Sequence, residues 1–165
     1  MNGKFLALML ALPMAAFAAD PDASFYKHAA EGGLAEVQAG QLAQSKGNGQ
    51  QVKDFGAMMV KDHSAANDKL QQLASSKSIT LPTTPSVGQM ASKAKLEVLS
   101  GETFDKSYVK GQIKAHRDTI ALFRKEINSG QDPDAKAFAS TTLPTVRSHL
   151  KAINAIATGM GIPTK

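Results

Sequence analysis

The chain contains no cysteine and no tryptophan. Without thiols there is no disulfide, no thiolate metal site, no covalent c-type haem and no lipid carried on a cysteine. Aromatic residues make up only 5% of the sequence and are not interleaved with basic ones. The net charge of +5 comes from lysines dispersed along the chain, and even the short basic stretch Ser92–Glu97 holds only Lys93 and Lys95. That pattern describes a mildly basic solvated surface and excludes a nucleic-acid footprint. Long apolar runs are also missing. The run Phe5–Ala11 is too short to span a bilayer, so no transmembrane segment is expected.

What is present begins with a leader pattern. Lys4 precedes that apolar run, and Ala16-Phe17-Ala18 follows as a small-x-small site. Residues 1–18 therefore read as a secretory signal peptide, cleaved after Ala18 to export a soluble protein. Residues 19–165 are expected to form a single domain, long enough to bury a core without disulfides.

Proline and glycine divide that domain into helices. The first is expected from about Asp22 or Ser24 to Ser45, ended by the Lys46–Gln50 segment KGNGQ. The second spans about Gln50–Lys77, with Val52, Phe55, Met59, His63, Ala66, Leu70 and Leu73 on one stripe. Two prolines and β-branched residues keep Ser78–Gly88 out of a helix, and a short helix, Gln89–Leu99, follows within the connection. The third long helix spans about Thr103–Asn128, with Phe104, Tyr108, Gln112, His116, Ile120, Phe123 and Ile127 in its stripe and a glycine cap at Gly130. The fourth spans about Pro133–Thr158, opened by Asp132 as N-cap, with Phe138, Thr142, Val146, His149, Ile153 and Ile156 inward and a kink expected near Ser140 from Pro144. The fold class is all-α: a ferritin-like four-helix bundle with a short extra helix between the second and third long helices. The long connection either follows the bundle or folds over one end.

Three histidines interrupt the apolar stripes, one per helix: His63, His116 and His149. A polar residue is not expected on such a stripe. If the second and third long helices run antiparallel, His63 lies about fourteen residues before one end and His116 about thirteen after the other, level to roughly one turn. Glu36 is the carboxylate of the first helix at this depth. Glu36, His63, His116 and His149 are thus one candidate metal ligand per helix, a donor set suited to Zn, Cu or Fe, with Mn also considered. Asp62 and Asn67 are candidates to orient an imidazole from behind. The competing reading is a buried hydrogen-bonded network without metal. His28 has no partner at that depth and reads as surface. Met58 and Met59 read as core filler, and the Gly32-Gly33 pair with Gly40 as points of close helix approach rather than a phosphate loop. No strand-turn-helix elbow supports a nucleophilic serine.

The segments AAEGGLAEVQAGQLA (Ala29–Ala43), VKDFGAMMVKDHSAANDKLQQLA (Val52–Ala74), LSGETFDKSYVKGQIKAHRDTIALF (Leu99–Phe123) and LPTVRSHL (Leu143–Leu150) resemble the ferritin-like exported family called domain of unknown function 4142. The resemblance runs from about Phe25 to Ala157. It implies a ferritin-like bundle in the periplasm or at the outer membrane, with no established activity. Family motif positions fall on Glu36, His63, His116 and His149. The chain departs from the di-iron carboxylate bundles, which use Glu-x-x-His: Val60, Ile113 and Val146 stand three residues before the histidines. Ferroxidase activity and iron storage are therefore not carried over. The expected function is an exported bundle of unassigned activity holding one transition metal. The alternatives are a metal-dependent oxidoreductase and a structural protein of the cell envelope whose partners are other envelope proteins or a second copy.

Overall fold

The computed structural model describes residues 22–164, so the expected leader, Met1–Ala18, lies outside the described residues. Five helices follow one another: α1 (Ala23–Lys46), α2 (Gln50–Ser76), α3 (Val87–Glu97), α4 (Gly101–Ser129) and α5 (Pro133–Gly159). Their ends lie within two residues of the sequence expectation. Local chemistry explains most of them. Asp132 caps α5 by accepting from the Asp134 amide at 2.9 Å, with Pro133 in the first turn, where its missing N–H is no loss. Ser86 and Gln89 form a reciprocal capping box at the start of α3. α5 runs on through Pro144 as one helix.

Gly130 corrects one expectation. It is not the left-handed cap foreseen, because its φ is −62° and ψ 154°. A glycine is needed there for space: a Cβ would lie 2.3 Å from Glu126 Oε1 and 2.6 Å from the Glu126 carbonyl.

The capping carboxylates fix the topology. Asp105, in the second turn of α4, accepts from the amides of Asn48 (2.9 Å) and Gly49 (2.7 Å), just before α2. α2 and α4 therefore start at the same end. Asp22, ahead of α1, accepts from the amides of Gln131 and Asp132 at the other end, where α4 turns into α5. The directions are up, down, down, up. α1 packs on α2 and α4, and α5 packs on α4 and α2, which leaves α2 and α4 diagonally opposed. The connection between them must then travel the length of the bundle. It does: Ile79 and Leu81 pack into the core at one end, Leu96 and Leu99 at the other. This settles the path left open by the sequence, and it overturns the antiparallel pairing assumed for α2 and α4.

The core is split in two. One apolar cluster joins Phe25, Tyr26, Leu70, Phe123, Phe138 and Val146. The other joins Val52, Phe55, Met59, Phe104, Tyr108 and Ile153. Each fully buried side chain of this size contributes ~1.5–3 kcal/mol. Between the clusters lies a polar layer that includes Glu36, Gln112 and the three histidines, all buried.

Candidate metal centre

The histidines meet at mid-height because each is placed by a different helix at nearly the same depth. His63 is 13 residues past the start of α2 and His116 is 15 past the start of α4. The parallel run of these helices makes their depths match from the same end. His149 comes up from α5 between them. The ring centroids form a triangle of 5.4, 5.5 and 5.8 Å. One nitrogen from each ring lies within 4.8 Å of the others, and relative exposures are only 8%, 1% and 2% for His63, His116 and His149. Among the described residues these three make up the cluster of ligating side chains at such range.

Hydrogen bonds fix which nitrogen two of the rings offer. His116 Nδ1 lies 2.9 Å from the Gln112 carbonyl, which can only accept, so Nδ1 carries the proton and Nε2 the lone pair. His149 Nε2 lies 2.9 Å from Asp62 Oδ2 and donates to it, leaving the lone pair on Nδ1. The atoms left over are His116 Nε2 and His149 Nδ1, together with His63 Nε2, and all three are buried with no hydrogen-bond partner among the described residues. An unsatisfied buried polar atom costs ~1–3 kcal/mol. Three in one layer concentrate that cost at the centre of the bundle. An imidazole backed by a carboxylate or a backbone carbonyl is the usual arrangement of a metal-binding histidine.

The electrostatics favour the neutral form of His63 and His149. Burial, reinforced by the neighbouring imidazoles of His116 and His149, lowers His63 to about 3. Burial also lowers His149, against an upward pull from Asp62. Neutral imidazole is the form that binds metal, and the site holds it without help from bulk pH.

Glu36 is buried in the same layer but belongs to a separate polar chain. It is not part of the ligating cluster. Its carboxyl is hydrogen-bonded to the Gln112 side chain, and its Oε2 has no hydrogen-bond partner. Burial raises its pKa, while His116 and the Gln112 bond act the other way. The Tyr108 phenol is pushed above its ordinary range by burial and then by Glu36. Gln112 thus links Glu36 to His116, holding the carboxyl with its side chain and the imidazole with its carbonyl.

Apolar groups close one side of the triangle. The Phe55 ring stands edge-on to His116 at 6.1 Å and to His149 at 6.5 Å. On the other side, beside His63, lies a cavity of about 30 Å³ bordered by Gly33, Asn67, Thr142 and Val146. That is room for about one water.

Asp62, expected from sequence to orient an imidazole from behind, holds that of His149 across the α2–α5 contact. Asn67 packs over Gly33, where a Cβ would come within 1.8 Å of its Oδ1. Gln112 was placed on the inward stripe by its spacing, but nothing in a single sequence gives a backbone carbonyl the role of fixing a tautomer. His28 is exposed and bonded to its own helix at the Ser24 carbonyl, as expected of a surface residue.

The bundle is thus one with an interior histidine triad, carried on three of its four long helices. Residues 9–156 match the family described as Domain of unknown function (DUF4142), and the chain belongs to that family. No curated protein matches it. Two solved structures share the fold at low identity. A DUF305 fragment from Deinococcus radiodurans is 11% identical with a TM-score of 0.72, over 82% of this chain and 93% of that one. A DUF305 protein from Streptomyces coelicolor, described as secreted, is 12% identical with a TM-score of 0.75, over 90% of this chain and 99% of that one. Among the described residues no helix is long and apolar enough to cross a membrane.

Proposed function

We propose that this protein binds one transition metal ion through His63, His116 and His149, in the interior of a ferritin-like bundle exported to the periplasm or outer membrane. The observation that carries the reading is the convergence of three buried imidazole nitrogens with no hydrogen-bond partner. Three neutral nitrogens and no thiolate favour Zn, Cu or Fe over Mg or Ca, which prefer oxygen. Three protein ligands leave a fourth position open, the pattern of sites that engage a further molecule. Glu36 stands beside the triad as a buried carboxyl able to close on that position. Export is supported by the leader pattern of residues 1–18 and by the secreted structural neighbour.

Elemental analysis of protein purified without chelator or affinity tag tests the binding, beside a His63→Ala/His116→Ala double variant. Near-stoichiometric metal in the parent and none in a still-helical variant is the expected result. No metal after loading with Fe, Cu, Mn and Zn would leave the histidines as a structural network. Turnover of peroxide or ferrous iron by the loaded protein would extend the reading to a metal-dependent oxidoreductase. Cell fractionation tests the location.

A further inference from the structure

Only three of the 19 cationic side chains are arginines, and all three line one groove. Arg117 and Arg124 stand two turns apart on α4, and Arg147 faces them from α5. Ile120, Ala121 and Leu150 complete the lining. The groove holds about 410 Å³, within the ~300–1,000 Å³ common for small-molecule sites. It lies on the outer face of the α4–α5 hairpin and shares no residue with the histidine triad.

Among the described residues no carboxylate balances the charges in this groove. No carboxylate lines it, and none of the three arginines has an ion pair among the described residues. The neighbouring acid, Asp118, is bonded to Lys114 on its own helix. Arg117 gives one guanidinium bond to the Thr164 carbonyl and keeps its other donors free. Three helical lysines, Lys93, Lys106 and Lys114, take i,i+4 carboxylate partners. The arginines take none, and what sets them apart from the other unpaired cations is that all three line one groove.

We infer that this groove binds a phosphate group attached to an apolar body. Guanidinium is the side chain that matches phosphate oxygens with paired, fixed donors. A carboxylate is satisfied by one bidentate arginine, whereas a phosphate monoester presents three free oxygens to several. The aliphatic floor of Ile120, Ala121 and Leu150 fits the apolar part. The same monoester chemistry is met in a free alkyl phosphate and in the phosphatidic acid of a membrane.

Two arms separate these sources. Calorimetry with hexyl phosphate, inorganic phosphate and hexanol reads the free form. Sedimentation with phosphatidylcholine vesicles containing phosphatidic acid, against phosphatidylcholine alone, reads the lipid form. Binding in either arm is the expected result, with hexyl phosphate bound more tightly than inorganic phosphate in the first. R117A/R124A/R147A should lose at least tenfold in affinity, and R117K/R124K/R147K most of that, because lysine lacks the paired donors. K27A/K61A/K69A removes the same charge from exposed sites on α1 and α2 and should bind as the parent does. The three arginines are exposed, so all variants should keep the parent's circular dichroism. Equal loss in the two alanine triples would reduce the effect to net charge and overturn the assignment. So would full affinity in either arginine variant, or no binding by the parent in both arms.

Discussion

Asp62 and His149 meet across the α2–α5 contact, with the imidazole Nε2 2.9 Å from the carboxylate Oδ2. The two residues are unlike in burial: the His149 side chain is 3% exposed and that of Asp62 31%. The carboxylate therefore reaches from the bundle surface to hold the back of an interior ring. That contact turns the other nitrogen, Nδ1, into the lone-pair donor.

Removing this support should weaken metal binding without removing a ligand. Asp62→Ala is expected to lower affinity 10–100-fold, the usual effect of losing an orienting partner. Competition against a chromophoric chelator measures it. Nitrogen-15 NMR of the His149 ring should show the proton no longer confined to Nε2. Unchanged affinity would mean that packing alone orients the ring.

The metal-free protein should lose stability in acid. His63 is lowered from its ordinary 6.5 to about 3 when folded. Below pH 6.5 the unfolded chain takes up a proton that the folded site refuses. The stabilisation is complete above 6.5 and declines as pH falls toward 3, by up to about 1.4 kcal/mol per pH unit from this group. His149, lowered in the same sense, adds to the slope. Glu36 is raised, so its contribution has the opposite sign: it favours unfolding as pH climbs through its folded value. Urea midpoints on chelator-treated protein between pH 7 and pH 4 should fall, and His63→Leu should flatten the profile. Equal midpoints at pH 7 and pH 5 would count against a buried neutral cluster.

The histidines should also cost the fold something. Replacing all three by leucine, a side chain of similar volume, removes three unsatisfied nitrogens and leaves Asp62 free to face water. The triple variant is expected to gain ~1–3 kcal/mol over the metal-free parent, or several degrees in melting temperature. Differential scanning calorimetry would show it. A less stable variant would identify the triad as a structural network instead.

Glycines of α1 separate into two kinds. Gly40 and Gly56 let α1 and α2 touch backbone to backbone, and a Cβ on either would come 2.7 Å from the other's carbonyl oxygen. Gly40→Ala should therefore destabilise by ~1–3 kcal/mol. Gly32 faces open space, so Gly32→Ala should stabilise by ~0.4–1 kcal/mol through the unfolded chain. Chemical denaturation of the two variants should show midpoints moving in opposite directions.

The stripes were legible in the sequence because a period of three and four residues has one structural meaning. His63, His116 and His149 were found on them, at the right depth, by counting. Antiparallel α2 and α4 would level His63 and His116, but the two helices run parallel, and both histidines are central because each helix extends about as far beyond them as before. Nothing in Ser78–Ser100 states its direction, since Leu81 and Leu99 are ordinary apolar residues until the ends they pack against are known. In α5 Leu143 and Ala157 are buried where their neighbours Thr142 and Ile156 were expected, while Phe138, Val146, His149 and Ile153 lie inward as their spacing implies. Tautomers were beyond reach, because they depend on the Gln112 carbonyl and on a carboxylate from another helix.

Each imidazole of the triad is contributed by a separate helix, and α4 can reach its place only after the long connection has traversed the bundle. The α4–α5 hairpin by itself brings His116 and His149 to 5.5 Å, but the third imidazole joins them only once α2 has packed on α5. A three-imidazole site would therefore exist only in the finished bundle, and an ion held by all three would certify completed assembly rather than guide it.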